Sequence, residues 1–549
     1  MKEKHFDPVS LGILWQRLIA ITDEGVSTLV RTAFSTVVRE GYDLSVLLLD
    51  ADGALLAQGT HSIPSFTGSA PATLAHMLRR YPPATLRPGD VIATNDPWMG
   101  TGHLYDINVM QPIFRSGKIV AYVLSITHLP DIGGVGFGTD AAEVYQEGLR
   151  IPVCKLAREG RRDEFLLELI AANVRVPRQV VGDVLANVSC TAVAARQLGE
   201  LMDEYGLEEL GPLSRQIQAS AEAAMRARIR AMRAGTYRSE MTIEGIDEPI
   251  RLACAAKVGD GQVALDFAGS QACVPFAVNV PLCFTRGYAI YAVKCLAAAP
   301  IPNNDGATRT VSVAAPEGCI LNAVHPAATA ARHSVGWFIV PLVFRTLAEA
   351  SPDTVQAGSG MVNMVNFRGT HRDGREVTTL HFASGGYGAV RGLDGLPAIS
   401  TPSSNAGIPV EIWESETSLT VTEKCLVPDS GGAGAFRGGL GQRVTMRNDT
   451  GGPVTIDVMG YRTDYPAEGV AGGRAGGARQ TLINECPIAR KGRFVLAPGD
   501  RITRIEAGGG GFGDPHERSA EALKRDLNEG YVTAEALLQD YGFSIDGKK

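Results

Sequence analysis

Apolar positions recur at helical spacing from Leu11 to Val38, behind Asp7-Pro8 and ahead of Gly41, which predicts a long helix with Asp7 as its N-cap. The period then shortens. Leu44–Leu49 and Ala54–Gln58 flank Asp50-Ala51-Asp52-Gly53 and predict a hairpin. Thr67–Tyr81 returns to helical spacing, and Pro88-Gly89-Asp90 leads into a short strand, Val91–Ala93, that delivers Asn95-Asp96-Pro97 to a loop. Two further apolar runs, Ile107–Phe114 and Ile119–Thr127, joined by Arg115-Ser116-Gly117-Lys118, read as a second hairpin. A Gly-rich loop follows, and Asp140-Ala141-Ala142-Glu143 fits a helix capping box.

Glu164–Met232 is almost continuously helical, interrupted near Pro177 and Gly211-Pro212, and Thr236–Phe267 alternates like a β-meander. Thr329–Ala350 reads as another helix, Gln356–Ile505 as many short strands between glycines, and Ser519–Glu529 and Thr533–Tyr541 as closing helices. The succession predicts an α+β (mixed α/β), multidomain chain. Its expected parts are an N-terminal α/β region (1–160), a helical segment (161–235), an α/β middle region (236–355), a Gly-rich β region (356–510) and a helical tail (511–549).

The second hairpin carries the candidate chemistry. His-Leu-x-Asp occurs at both of its ends, as His103-Leu104-Tyr105-Asp106 and His128-Leu129-Pro130-Asp131. Pairing Arg115 with Lys118 places Asp106 opposite Thr127 and Tyr105 opposite His128, so both motifs emerge at the open end, where opposed residues lie roughly 5 Å apart. Residues i and i+3 of a regular strand face opposite sides, so each motif must bend to share a ligand; Gly100-Thr101-Gly102 and Pro130 with Gly133-Gly134 allow that. Two imidazoles and two carboxylates suit zinc, manganese or iron better than magnesium or calcium. Hydrogen-bonded structural His–Asp pairs are the competing reading.

Asp96 and Asp50 read first as turn carboxylates, and Glu143 and Glu147, one helical turn apart, as capping or solvent-facing groups. Gly508–Pro515 resembles a phosphate loop only superficially, because no Lys-Ser/Thr follows it. The chain has no complete nucleotide motif and no Gly-x-Ser-x-Gly elbow.

Composition narrows the class. With 549 residues, 45% hydrophobic and 20% charged, the chain is globular and too long for one core. A net charge of −7 without basic runs argues against nucleic acid, and the longest apolar stretches fall short of a membrane span. The first twelve residues lack the apolar core of a signal peptide. Nine cysteines without a Cys-x-x-Cys pair read as reduced thiols of a cytoplasmic protein.

In order along the chain, TNDPWMGTGHLYDINVMQPIF, THLPDIGG, EVYQEGLRIP, PDSGGAGAFRGGLG and GGGGFGDP resemble the hydantoinase B family from about Asp7 to Tyr541. That family includes B subunits of ATP-dependent N-methylhydantoinases and 5-oxoprolinases, with relatives in caprolactamase and in acetone and acetophenone carboxylases. The resemblance implies a B-type subunit of an ATP-dependent cyclic amidase acting on a hydantoin, 5-oxoproline or lactam-like ring. An A-type partner would bind ATP and magnesium and phosphorylate the substrate, in a hetero-oligomer. Metal-activated hydroxide or bicarbonate at His103, Asp106, His128 and Asp131 would then attack, with Glu143 or Asp96 moving protons. A ketone carboxylase subunit is the enzymatic alternative, and a non-catalytic scaffold for the A subunit is the other. Many members carry a histidine where Phe66 stands, which removes one candidate proton carrier.

Overall fold

A computed structural model describes residues 5–544; Met1–Lys4 of the amino-terminal stretch and 545–549 of the tail lie outside the described residues. The architecture is mixed α/β and falls into two compact units, one comprising the chain to Arg238 with Ala253–Val343, the other Ser239–Leu252 with the chain from Phe344. Among the described residues no helix is long and apolar enough to cross a membrane.

The first unit is built on a seven-stranded sheet. Its strands are β1 (Leu44–Asp50), β2 (Leu55–Gln58), β3 (Val91–Thr94), β4 (Asp106–Arg115), β5 (Lys118–His128), β6 (Cys154–Arg158) and β7 (Arg161–Arg162). They lie in the order β2-β1-β5-β4-β3-β6-β7, each neighbour antiparallel. One apolar layer gathers Leu44, Val46, Leu48, Ile113, Ala121 and Val123 of the sheet under Leu14, Leu18 and Leu29 of the helix Pro8–Thr32 and Ala194, Leu198 and Leu201 of Pro177–Glu204. The opposite layer joins Leu47, Leu49, Met110, Leu124 and Ile126 to Phe66, Leu74 and Met77. Each fully buried leucine here contributes about 1.5–3 kcal/mol.

Three local expectations change for tertiary reasons. The first helix stops at Thr32 and a four-residue helix, Thr36–Arg39, follows, because the N–H groups of Phe34 and Ser35 donate to buried Asp183. Asp7 does cap the first turn, accepting from Val9 and Ser10. The capping box at Asp140 does not form: the helix is only Val144–Glu147, Glu143 holds the N-cap position without a side-chain bond, and Val144 N–H donates to the Pro326 carbonyl instead. The expected helix Thr329–Ala350 starts only at His333, after Glu147 has taken the amides of Thr329 and Ala330, and it is two helices, His333–Gly336 and Ile339–Leu347.

The hairpin register also needs correction. Arg115 pairs with Lys118 as expected, but Phe114 pairs with Ile119 and Ile113 with Ala121, leaving Val120 as an extra residue. This β-bulge shifts the rest of the ladder by one, so Asp106 opposes His128 and Ile107 opposes Thr127. The correction matters because a one-residue slip turns a side chain to the other face. Directly opposed residues share a face, so the bulge sends Asp106 and His128 to the same side.

A helix the apolar pattern did not announce, Leu282–Ala298, is buried nearly all round and lacks a polar face. It meets the short turn Pro64–Gly68 at two glycines: a Cβ on Gly68 would stand 2.7 Å from the Gly287 Cα.

Among the described residues from Phe344 on, the second unit holds a four-stranded and a five-stranded sheet. In the first, Val362–Thr370 lies between Glu376–Ser384 and Val454–Met459, with Lys491–Leu496 outermost; in the other, Gln442–Asn448 and Arg501–Ile505 are central. Arg479, Arg504 and Glu506 form ion pairs wholly inside it. Helices Ala520–Asn528 and Ala534–Tyr541 close the chain where the sequence places them.

Candidate metal centre

Asp106 opens β4 and His128 ends β5, so the ladder sets them side by side, both buried. His103 comes from the preceding loop. Gly102 makes that approach feasible: its φ is +98°, and a Cβ there would lie 2.8 Å from Arg332 Cδ. The imidazoles of His103 and His128 have centroids 5.1 Å apart, and one donor atom from each of His103, Asp106 and His128 lies within 4.8 Å of the others.

The protonation pattern bears on what this cluster could hold. His103 Nδ1 lies 3.0 Å from the Ala330 carbonyl, a contact that requires the proton on Nδ1 and leaves Nε2 as a lone pair. That lone pair faces Asp106 Oδ1 at 3.1 Å. Burial, then Arg332, pushes the His103 pKa down, which opposes a second proton. Neither ring nitrogen of buried His128 has a hydrogen-bond partner among the described residues, and burial, then His103, pushes its pKa down to about 3. Burial works against the charge of Asp106, while the Arg332 guanidinium at 2.8 Å favours it and helps keep the carboxyl ionised. Neutral nitrogen lone pairs converging with a carboxylate in a buried space fit a divalent cation.

Outer contacts orient these groups. Asp106 Oδ2 accepts from Thr101 Oγ1 at 2.6 Å and Arg332 Nη2 at 2.8 Å, while Arg332 Nε donates to the Thr101 carbonyl at 2.9 Å. Glu147 Oε1 accepts from the amides of Thr329 (2.5 Å) and Ala330 (2.6 Å). One buried side chain therefore holds the 329–332 segment, from which Ala330 orients His103 and Arg332 orients Asp106.

The other expected site residues lie elsewhere. Asp131 stands outside the cluster and holds Arg175 instead, through the Arg175 amide at 2.5 Å and Nη1 at 2.8 Å, and it accepts from Gly133 N–H. Asp96 is a turn carboxylate, accepting from Trp98 and Met99 amides and pairing with Arg150. Glu143 is exposed, and it is Glu147, one turn on, that is buried. Asp50 caps its own turn and accepts from Ser214 and Gln218. Phe66 lies in the apolar layer. Sequence reasoning missed Arg332 and the loop around it; an Arg-His pair inside the otherwise apolar 328–344 was the available signal.

Comparison with known proteins is consistent along the whole chain. A family model described as Hydantoinase B/oxoprolinase matches residues 7–515. Caprolactamase subunit beta of Pseudomonas jessenii is 29% identical over 98% of this chain and 97% of its own length. A 5-oxoprolinase of Pestalotiopsis fici is 26% identical over 96% of this chain but only 43% of that protein. The crystal structure of the ATP-dependent caprolactamase from P. jessenii superposes with a TM-score of 0.91 at 26% identity, covering 99% of this chain and 97% of that one. Nucleotide-free acetone carboxylase shares the fold, with a TM-score of 0.88 at 22% identity over 99% of this chain and 81% of that one.

Proposed function

The chain belongs to the hydantoinase B/oxoprolinase family, whose members include ATP-dependent hydrolases and carboxylases, and from that premise we propose that it is the B-type subunit of an ATP-dependent cyclic amidase. Its substrate is a hydantoin, oxoproline or lactam-like ring activated by phosphoryl transfer on an ATP-binding A-type partner. The chain itself has no complete nucleotide-binding motif. Its relation to a protein named as a beta subunit supports the division of labour.

His103 Nε2, an Asp106 oxygen and His128 are the groups that would hold a divalent metal, with zinc, manganese and iron favoured by the nitrogen and oxygen donors. A bound ion of this kind supplies Lewis acidity and lowers the pKa of water. The chain's own residues do the positioning. Ala330 fixes the His103 tautomer, Arg332 and Thr101 restrain Asp106, and the bulge at Val120 turns His128 toward both. Asp131 acts at one remove, tying Arg175 to the loop after β5.

The observation that carries this reading is the buried pair of lone pairs, His103 Nε2 facing Asp106 Oδ1, beside a His128 without a partner. Its test is metal analysis of wild type and His128→Ala, with ATP-dependent ring opening assayed beside the partner subunit. The variant is expected to lose metal and turnover together; equal metal content removes the ligand assignment. Bicarbonate dependence with carbon incorporated into product would reassign the chain to the carboxylases.

A further inference from the structure

The three donor side chains are closed off from solvent: His103 is 1%, Asp106 2% and His128 4% exposed. An ion that binds there, and a ring that reacts there, need a way in, so part of the cover has to move. Much of the cover is tied down by its backbone. The Tyr105 carbonyl accepts from the Leu129 amide at 2.7 Å, Ala331 N–H donates to the Ala277 carbonyl at 2.7 Å, and Glu147 holds the amides of Thr329 and Ala330.

Gly136-Phe137-Gly138, in the Gly-rich loop after β5, is held differently. All three residues are buried, and among the described residues none of them makes a hydrogen bond. What holds the stretch is the Phe137 ring, whose centroid lies 5.2 Å from that of His128, 5.9 Å from His103, 4.8 Å from Tyr105 and 5.8 Å from His333. Lifting it breaks no backbone bond and returns buried peptide groups to water, so one side chain sets the cost of opening. The flanks are fixed instead. Asp131 accepts from Gly133 N–H, Arg175 donates to the Gly133 and Gly134 carbonyls, and Val135 N–H donates to the Gln146 carbonyl. Beyond the stretch, Ala277 N–H donates to the Thr139 carbonyl. A Cβ on Gly133 would stand 2.3 Å from the Asn173 carbonyl oxygen, so the stem is tightly seated. Gly136, at φ +93°, supplies the bend where the fixed stem ends.

Resting on the reading of the cluster as a metal centre, we propose that Gly136-Phe137-Gly138 is a gate over it, latched by the Phe137 ring and hinged at the two glycines, through which the ion and the reacting ring reach His103 and His128. The Asp131–Arg175 pair anchors the stem while the tip moves.

The test times zinc release from the loaded full-length chain to excess EDTA in wild type, Phe137→Leu and Phe137→Ala. In parallel, the metal-free chain is treated with diethyl pyrocarbonate, and carbethoxylation of His103 and His128 is followed by peptide mass spectrometry. Leu198→Ala, which opens a hole in the apolar layer between the sheet and its helices, controls for general loosening. Both rates are expected to rise about tenfold or more in Phe137→Ala and less in Phe137→Leu, which keeps much of the apolar volume, while Leu198→Ala stays within about threefold of wild type. Unchanged rates in both Phe137 variants, or an equal rise in Leu198→Ala, overturn the proposal. Should Phe137→Ala fail to fold, a rise of about threefold in Phe137→Leu upholds the gate and no rise overturns it. If the chain takes up no zinc, the metal-centre reading fails, and the labelling rates alone decide the gate by the same criteria.

Discussion

Glu147 is the most informative position to perturb, because its two oxygens do different work. Oε1 accepts both the Thr329 and Ala330 amides, while Oε2 lies 3.4 Å from the Thr329 hydroxyl. Burial pushes its pKa up to about 8, against the lowering effect of the Ala330 and Thr329 amides. At pH 7 the group is therefore chiefly a neutral acid, with Oε1 as the carbonyl-like acceptor and the proton on Oε2. Glutamine reproduces that arrangement and should lie within about 1 kcal/mol of wild type. Alanine instead orphans two buried amides at about 1–3 kcal/mol each, so Glu147→Ala should destabilise by about 2–6 kcal/mol. It should also lower metal affinity about 10–100-fold through the released Ala330 carbonyl.

The sign with pH follows from the raised value. The folded state holds this proton more tightly than the unfolded chain, whose ordinary value is 4.5. The stability it contributes is complete below that and is lost as pH rises toward 8, at no more than about 1.4 kcal/mol per pH unit. Urea unfolding from pH 4.5 to 9, with metal content measured at each step, reads both effects. Glu147→Gln should flatten the dependence. The reasoning would be refuted by a Gln variant as damaged as Ala, or by an Ala variant within 1 kcal/mol of wild type.

Deleting Val120 removes the extra residue and leaves every pair beyond it in place, Asp106 opposite His128 included, so metal content by mass spectrometry should stay near wild type while the circular dichroism of the strands persists; a fall to background would refute the register. Gly68→Ala forces a Cβ to 2.7 Å from Gly287 Cα and should cost about 1–3 kcal/mol in thermal unfolding, because backbone rather than a flexible side chain must give way. Asp131→Asn weakens the hold on Arg175 and should cost about 1–2 kcal/mol while leaving metal content unchanged; loss of metal would make Asp131 a ligand after all.

Periodicity alone determined much about this protein. The Asp7 cap, the two hairpins, the helical run broken at Pro177 and Gly211, the strand-rich carboxy-terminal half and the closing helices all follow from short-range rules, in which each residue answers to neighbours a few positions away. The repeated His-Leu-x-Asp pattern likewise marked the right hairpin, since two imidazoles and carboxylates at its open end stand out against an apolar background. Tertiary structure decided what those residues face. A bulge at Val120, invisible to a pattern that only counts pairs from the turn, put Asp106 and His128 on one side of the sheet. Asp131, identical in motif position to Asp106, was taken up by Arg175 instead. Arg332 reaches Asp106 across 226 positions and Ala330 reaches His103 across 227, with Glu147 holding the segment between them. Such contacts depend on which buried donors and acceptors remain unmatched once the helices and sheet have packed. That balance is struck across the whole unit, so no local stretch of sequence records it.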